Sequence, residues 1–146
     1  MEKTQRVRVL EDIVDTLDAS PLFKTVVLAS DDASIGTLSR FDTPLVLVRT
    51  GEALEREGAL SNTIVRQDLP VIITIGVSPD DGDEEEVLSK LEFEAKRLLY
   101  LNRRRGGYAI STNYVSTNET PDVFESSLYD GRDVNFSVMY QEDLSQ

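Results

Sequence analysis

Apolar residues recur at spacings of three and four in two long segments, which predicts two helices. The first helix covers residues 3–19 and the second covers residues 83–107. The apolar face of the first consists of Val7, Leu10, Ile13, Val14 and Leu17. The apolar face of the second consists of Val87, Leu88, Leu91, Ala95, Leu98 and Leu99. Because each helix has one apolar face, each must pack on another element.

The second helix carries charges that suit its two ends. Asp83 can cap the first turn, and the carboxylates at residues 84–86 lie where the helix dipole is positive. Arginines at residues 103–105 lie at the opposite end, where the dipole is negative. Gly106 and Gly107 can take the left-handed conformation that ends helices. We therefore predict one helix that runs through the three arginines.

The remaining segments have the short apolar runs and the alternation that predict β-strands. Strands are predicted at residues 24–30, 43–51, 62–78, 108–117, 123–129 and 133–143. The four apolar residues 45–48 predict a strand buried on both faces. Pro70 predicts a bulge or bend, and Asp130-Gly131 predicts a tight hairpin turn.

Grouped strands and helices predict a single α+β domain over residues 1–146. Its element order is α-β-β-β-α-β-β-β, and its sheet is antiparallel or mixed, with both helices on one face. The charged segment 52–61 and the polar first half of the strand at 62–78 predict a projecting β-hairpin around residues 50–70. The candidate residues of this arm are Glu52, Glu55, Arg56, Glu57 and Arg66.

The composition excludes several classes of function. The chain contains no cysteine and no histidine, which excludes disulfides, thiolate zinc sites, cysteine nucleophiles and histidine-dependent catalytic triads. Fifteen Lys plus Arg against 27 Asp plus Glu leave a net charge of −12. A surface that grips DNA or RNA needs a surplus of cations, so this charge argues against tight nucleic-acid binding. No apolar run approaches the roughly 20 residues that a membrane span requires, so we expect no membrane contact.

The acidic residues 80–86 suggest a metal site at first sight. A calcium loop of the EF-hand type needs carboxylates at alternate positions with a glycine at the sixth and a glutamate at the twelfth, and this run lacks that spacing. Helix capping and dipole compensation explain the run instead. Because no nucleophile, base or phosphate-binding glycine loop converges in the sequence, we expect no metal, no cofactor and no enzymatic activity.

Aromatic and cationic side chains on the second helix form the candidate subunit interface. Phe93 and Tyr100 are seven residues apart and fall off the main apolar face. They meet either a neighbouring subunit or the first helix. The arginines Arg103, Arg104 and Arg105 serve either as an interface with an acidic surface of a second copy or as helix-capping groups, and nucleic-acid contact is the weaker alternative.

The element order and three strand segments resemble a known family. The segments are TPLVLVRTGE, LPVIITIGV and DVNFSVMYQED, and they stand around a long helix in a chain of this size. In this respect the chain resembles the tail terminator, or tail-to-head joining, proteins of tailed bacteriophages. The resemblance covers nearly the whole chain and rests on size, element order and strand composition.

This resemblance implies a structural virion protein that is made in the host cytoplasm. It implies a homohexameric ring that caps the tail tube and contacts both the tube protein and a neck or head-completion protein. DNA would pass through the lumen without specific binding, and an acidic lumen would repel its phosphates. The alternatives are a neck or head-completion connector and a small cytosolic α+β domain with a regulatory or ligand-binding role.

Overall fold

The fold comes from a computed structural model, which describes residues 4–28, 43–51, 54–55, 64–119 and 130–144. Two α-helices are present in these ranges, and their bounds are α1 Gln5–Asp18 and α2 Glu84–Leu101. The strands are β1 Thr25–Leu28, β2 Leu45–Thr50, β3 Leu54–Glu55, β4 Ile64–Val77, β5 Ser111–Glu119 and β6 Asp130–Asp143. Two short 3₁₀ turns, Pro79–Asp81 and Arg105–Gly107, flank α2.

All six strands belong to one mixed sheet. Its order is β1-β2-β4-β6-β5, with the two-residue β3 paired to β4 beside this path. Strands β1 and β2 are parallel, and the other neighbours are antiparallel. The longest ladder pairs β4 with β6 from Ile64↔Asp143 to Val77↔Asp130. The predicted α+β fold with a mixed sheet is therefore confirmed.

The main core lies between the sheet and both helices. It joins α1 and α2 to alternate residues of β2, β4 and β6, so both helices cover the same face of the sheet. The sheet contributes Val46, Val48, Leu69, Val71, Ile73, Ile75, Val77, Val134, Phe136, Val138 and Tyr140. The predicted apolar faces of the helices point into this core, although Val7 is exposed and Val9 is buried in its place.

The opposite face of the sheet is also buried around β2. Leu45 and Leu47 are fully buried there, next to the buried Thr74 of β4. Residues 45–48 are thus buried on both faces, as the apolar run predicted. Toward β5 the same face is polar and carries serine and asparagine side chains, because the pleat places alternate residues of β5 and β6 on that side.

Two local predictions are wrong. Helix α2 ends at Leu101 rather than at Gly107, although Gly106 and Gly107 have the positive φ angles expected of residues beyond a helix end. Asp130 and Gly131 do not form a hairpin turn, because both pair with β4 as the first residues of β6. The bulge that was one of the two alternatives at Pro70 is absent from the ladder with β6, and pairing with β2 ends at its neighbour Val71. The predicted strand at residues 123–129 lies outside the described residues.

The substitution Ile73→Ala tests the position of the core. Ile73 is fully buried between Val48 and Val134, so its loss leaves a cavity under both helices. We expect a loss of about 2–5 kcal/mol in the free energy of unfolding, measured by urea denaturation. Ile110→Ala, at a residue that is 38% exposed, is the matched control and should change this free energy by less than about 1 kcal/mol.

Candidate functional site

Helix α2 carries three exposed apolar side chains in its second half. Phe93 is 67% exposed and Tyr100 is 42% exposed, and Leu101 ends the helix beside them at 72%. The buried residues Leu88, Leu91, Ala95 and Leu99 lie on the other side of α2. Phe93 therefore lies on the side of α2 that faces away from the core, so its predicted packing against α1 is wrong, and its contact with a neighbouring subunit stays a prediction.

Tyr100 and Arg103 both contact the outer edge of β5. The backbone N–H of Tyr114 donates to the Tyr100 hydroxyl at 2.7 Å, and Arg103 Nε donates to the carbonyl oxygen of Thr112 at 3.1 Å. Arg103 also lies over the Tyr100 ring, 4.9 Å from its centroid. These contacts occupy backbone groups that an edge strand otherwise offers to another strand. The sheet edge is therefore closed to strand addition at these residues.

Arg104 and Arg105 have opposite environments. Arg104 is exposed, and its side chain makes no hydrogen bond or ion pair within the described ranges. Arg105 is fully buried, with a φ of 51°, and its guanidinium donates to the carbonyl oxygens of Leu99 and Asn102. The prediction that Arg105 lies at an interface is wrong, because the side chain is used to satisfy carbonyls at the end of α2.

Arg105 also forms an ion pair with Asp12 of α1. Arg105 Nη1 lies 3.2 Å from Asp12 Oδ1, although the angle between them is not that of a hydrogen bond. Burial raises the pKa of the Asp12 carboxyl, and the charge of Arg105 offsets only part of this effect. Burial likewise lowers the pKa of Arg105. The pair connects the end of α2 to the middle of α1.

An open cleft of about 270 Å³ lies beside this ion pair. Its lining consists of Arg8, Glu11, Asp12, Asp15 and Tyr108, and the Arg8 guanidinium carbon lies 5.5 Å from the centroid of the Tyr108 ring. The lining is mainly acidic and offers no nucleophile beside a base. It therefore gives no support to an active site.

A second polar network joins α2 to β6 through Arg132. Its guanidinium donates to Glu92 at 3.2 Å and to Glu85 at 3.0 Å, while Lys96 donates to Glu92 at 2.7 Å. Burial acts to raise the pKa of Glu92, but the hydrogen bonds from Lys96 and Arg132 outweigh it and hold this pKa below its usual value. The ionised Glu92 accepts hydrogen bonds from both Lys96 and Arg132. These contacts fix the rotation of α2 on the sheet.

Glu94 is the one buried acid of α2 in the described chain. It accepts a hydrogen bond from the Ser20 hydroxyl at 2.8 Å and forms an ion pair with Arg97 at 2.7 Å. Burial acts to raise its pKa, yet these two partners lower it overall. The helical pattern of the sequence does not reveal this residue, since Glu94 stands among apolar positions without a visible partner.

A buried charged cluster lies on the face of the sheet opposite the helices. Arg49 of β2 donates to both carboxylate oxygens of Asp133 at 3.1 Å, and the Thr74 hydroxyl donates to Asp133 at 2.7 Å. Thr74 of β4 and Asp133 of β6 are directly paired, and Arg49 of β2 reaches them diagonally from its position opposite Ile72. Their donors and acceptors satisfy one another, so the cluster ties three strands together rather than offering a binding group.

The residues of the predicted arm are only partly described. Arg66 belongs to β4, where it pairs with Gln141 of β6. Glu55 belongs to β3, which pairs with β4. In the described residues β3 and β4 are consecutive antiparallel strands, and residues 64–70 are also paired to β6, while the projection of this arm stays a prediction. Glu52, Arg56 and Glu57 lie outside the described residues.

No protein-family model matches the chain, and no curated protein sequence is significantly similar to it.

Over residues 4–28, 43–51, 64–119 and 130–144, no group of three or more acidic side chains is arranged to hold a metal ion. Neither of the helices in these ranges is long and apolar enough to cross a membrane.

The substitution Arg105→Met tests the role of the buried arginine. It leaves the Asp12 charge partly buried without its partner and frees the carbonyls at the end of α2. We expect a loss of about 3–5 kcal/mol in the free energy of unfolding, measured by urea denaturation. Arg104→Met is the matched control, and we expect a change of at most about 0.5 kcal/mol because Arg104 is exposed. Equal effects of the two substitutions would contradict this assignment.

The substitution Glu92→Gln tests the network at Arg132 through its dependence on pH. Since the folded state lowers the pKa of Glu92, its stabilisation is present above the unfolded-state value of 4.5 and is lost as pH falls through the lower folded-state pKa. At pH 7 we expect the variant to lose about 2 kcal/mol in the free energy of unfolding. At pH values below that lowered pKa the variant and the wild type should converge. A difference that persists unchanged into acid would contradict the role of the ionised carboxylate.

Proposed function

We propose that this protein is a structural component of the tail or neck of a tailed bacteriophage. In this proposal, copies of the chain form a ring that caps the tail tube and joins the tail to the head. The tube protein and a neck or head-completion protein are its partners, and DNA passes through the lumen.

The arrangement of the elements supports this proposal. The resemblance to tail terminator proteins implied a sheet with its helices packed on one face, and α1 and α2 cover one face of the mixed sheet. The same arrangement serves a neck connector equally well, and the position of the protein in the particle distinguishes the two. The polar contacts of the described residues are used to hold elements together, which favours a structural role.

The observation that carries the proposal is the exposed outer face of α2. Phe93 is two-thirds exposed in the middle of the helix, and Tyr100 and Leu101 are exposed about two turns further along α2. Aromatic side chains combined with arginines are enriched in protein interfaces. We infer that this face contacts another protein in the assembled ring.

The charge of the chain suits the passage of DNA. A net charge of −12 gives a surface that repels phosphates, so DNA can slide through a ring without being gripped. The proposal therefore requires that acidic side chains line the inner wall of the ring. A basic inner wall in the assembled particle would contradict it.

Electron microscopy of tail tubes mixed with the protein tests the proposal. We expect a ring of density at one end of the tubes and an end to tube growth when the wild-type protein is added. Phe93→Asp should abolish this capping, because it places a charge in the centre of the contact. Leu144→Asp is the matched control, at an apolar residue that is 60% exposed on another part of the surface, and it should cap normally.

The outcomes separate the function from the interface. Tubes that grow without limit and carry no ring in the presence of the wild-type protein would contradict the proposed function. Normal capping by Phe93→Asp would leave the function in place and remove the outer face of α2 from the ring contact.

A further inference from the structure

The two outer strands of the sheet, β1 and β5, differ in how their edges are protected. At β5, Tyr100 and Arg103 bond to backbone groups of Tyr114 and Thr112, and the register of the ladder shifts beyond Tyr114. Side-chain cover and bulges are two ways in which proteins prevent an edge strand from pairing with another strand. At β1, the backbone hydrogen bonds within the described ranges go only to residues 44–48. The outer edge of β1 is therefore open in the part of the chain that the structure describes.

The register of β1 shows which backbone groups lie at this open edge. The N–H of Thr25 donates to the carbonyl oxygen of Pro44 at 3.4 Å, and Pro44 is the residue that precedes β2. In a parallel ladder the N–H and C=O groups of alternate residues point to the same side, so Thr25 and Val27 bond toward β2. The N–H and C=O groups of Val26 consequently point away from β2, and those of Leu28 do the same.

The side chains of β1 do not prevent pairing at this edge. The strand reads TVVL and contains no charge, no proline and no glycine. Its first three side chains are half-buried, and Leu28 is 39% exposed. The nearest charge along the chain is Lys24, which is exposed and precedes the strand. Natural edge strands use charges and prolines against further pairing, so the outward backbone groups of Val26 are available to another strand.

A second copy of the chain supplies a strand that matches this edge. Two identical strands that pair antiparallel about a two-fold axis complement each other, because each meets the other's residues in reverse order. With the axis at Val26, Thr25 lies opposite the partner subunit's Val27, and Lys24 lies opposite the partner subunit's Leu28. The two lysines are then at opposite ends of the contact, so no like charges meet. A parallel pairing in register would instead place the lysines side by side.

We propose that the free protein pairs with a second copy by antiparallel addition of β1 to β1, with the two-fold axis at Val26. The N–H of each Val26 donates to the carbonyl oxygen of the partner subunit's Val26, and the two six-stranded sheets become continuous. The β5 edge cannot pair in this way at Thr112 and Tyr114, because backbone groups of both residues are already bonded. The contact is short, so we expect a weak dimer that forms with rising protein concentration.

The pairing does not rest on the proposed function. It uses backbone groups at the β1 edge, whereas the proposed ring contact uses exposed side chains of α2. A two-fold contact alone does not close a ring that has a single rotation axis, so the dimer is a form of the free protein.

Sedimentation equilibrium of charge variants at position 28 tests the pairing. Leu28→Lys places a second lysine opposite Lys24 of the partner subunit, and the two-fold axis repeats this like-charge pair. We expect the dissociation constant of the dimer to rise roughly tenfold. Leu28→Asp is the matched control, because it removes the same leucine but places a carboxylate opposite the partner's Lys24, and it should dimerise more tightly than Leu28→Lys. Circular dichroism confirms that both variants are folded.

Disulfide formation tests the register, because the natural chain contains no cysteine. Position 25 of one copy and position 27 of the other form a non-hydrogen-bonded pair, with Cβ atoms about 4.5–5.5 Å apart. The two copies of position 25 are diagonal neighbours about 7–8 Å apart, which exceeds the reach of a disulfide. Thr25→Cys mixed with Val27→Cys should therefore form a mixed disulfide under mild oxidation, and each variant alone should link far more slowly.

Three results would overturn the proposal. The first is a wild type that stays monomeric to millimolar concentration, and the second is equal dimerisation of Leu28→Lys and Leu28→Asp. The third is efficient linking of position 25 to itself, which indicates a parallel pair. None of them would affect the proposed function, which the capping experiment with Phe93→Asp tests separately.

Discussion

The ladder between β4 and β6 is the constraint on which the rest of the fold depends. It runs without a shift from Ile64↔Asp143 to Val77↔Asp130, and β2 and β5 add to its two sides. A slip of one residue would exchange the two faces of the sheet, because side chains alternate with a period of two. The apolar residues of β4 and β6 that face the helices would then lie on the other side. The register of this one ladder therefore decides where both helices can pack.

Helix α2 is held on that ladder by polar contacts as well as by its apolar face. Arg132 reaches from β6 to Glu85 and Glu92, and Ser20 reaches from the end of α1 to the buried Glu94. At the far end the buried Arg105 joins the carbonyls of α2 to Asp12. Many of the cations in the described residues are thus used to hold elements of the fold together.

The edge of β5 limits how the protein can associate. Tyr100 and Arg103 occupy backbone groups of Thr112 and Tyr114, so another strand cannot pair there without first displacing them. Association through the exposed side chains of α2 requires no such displacement. At the β5 edge, contacts made by side chains are thus favoured over extension of the sheet.

The fold class, the existence of both helices and most of the strands could be predicted from periodicity. The spacing of apolar and polar residues is a property of short segments of the sequence. Phe93 and Tyr100 could also be placed off the apolar face of α2 by spacing alone. The end of α2 could not be predicted, since Arg105 donates from beyond Leu101 to the carbonyl oxygens of Leu99 and Asn102, in place of backbone N–H groups of a longer helix. Nor could the pairs Arg49–Asp133, Ser20–Glu94 and Asp12–Arg105, whose members are more than 70 residues apart. Local pattern determined which elements form and which faces are apolar; the pairing of distant strands, through register, decided which charged groups meet and which remain at the surface.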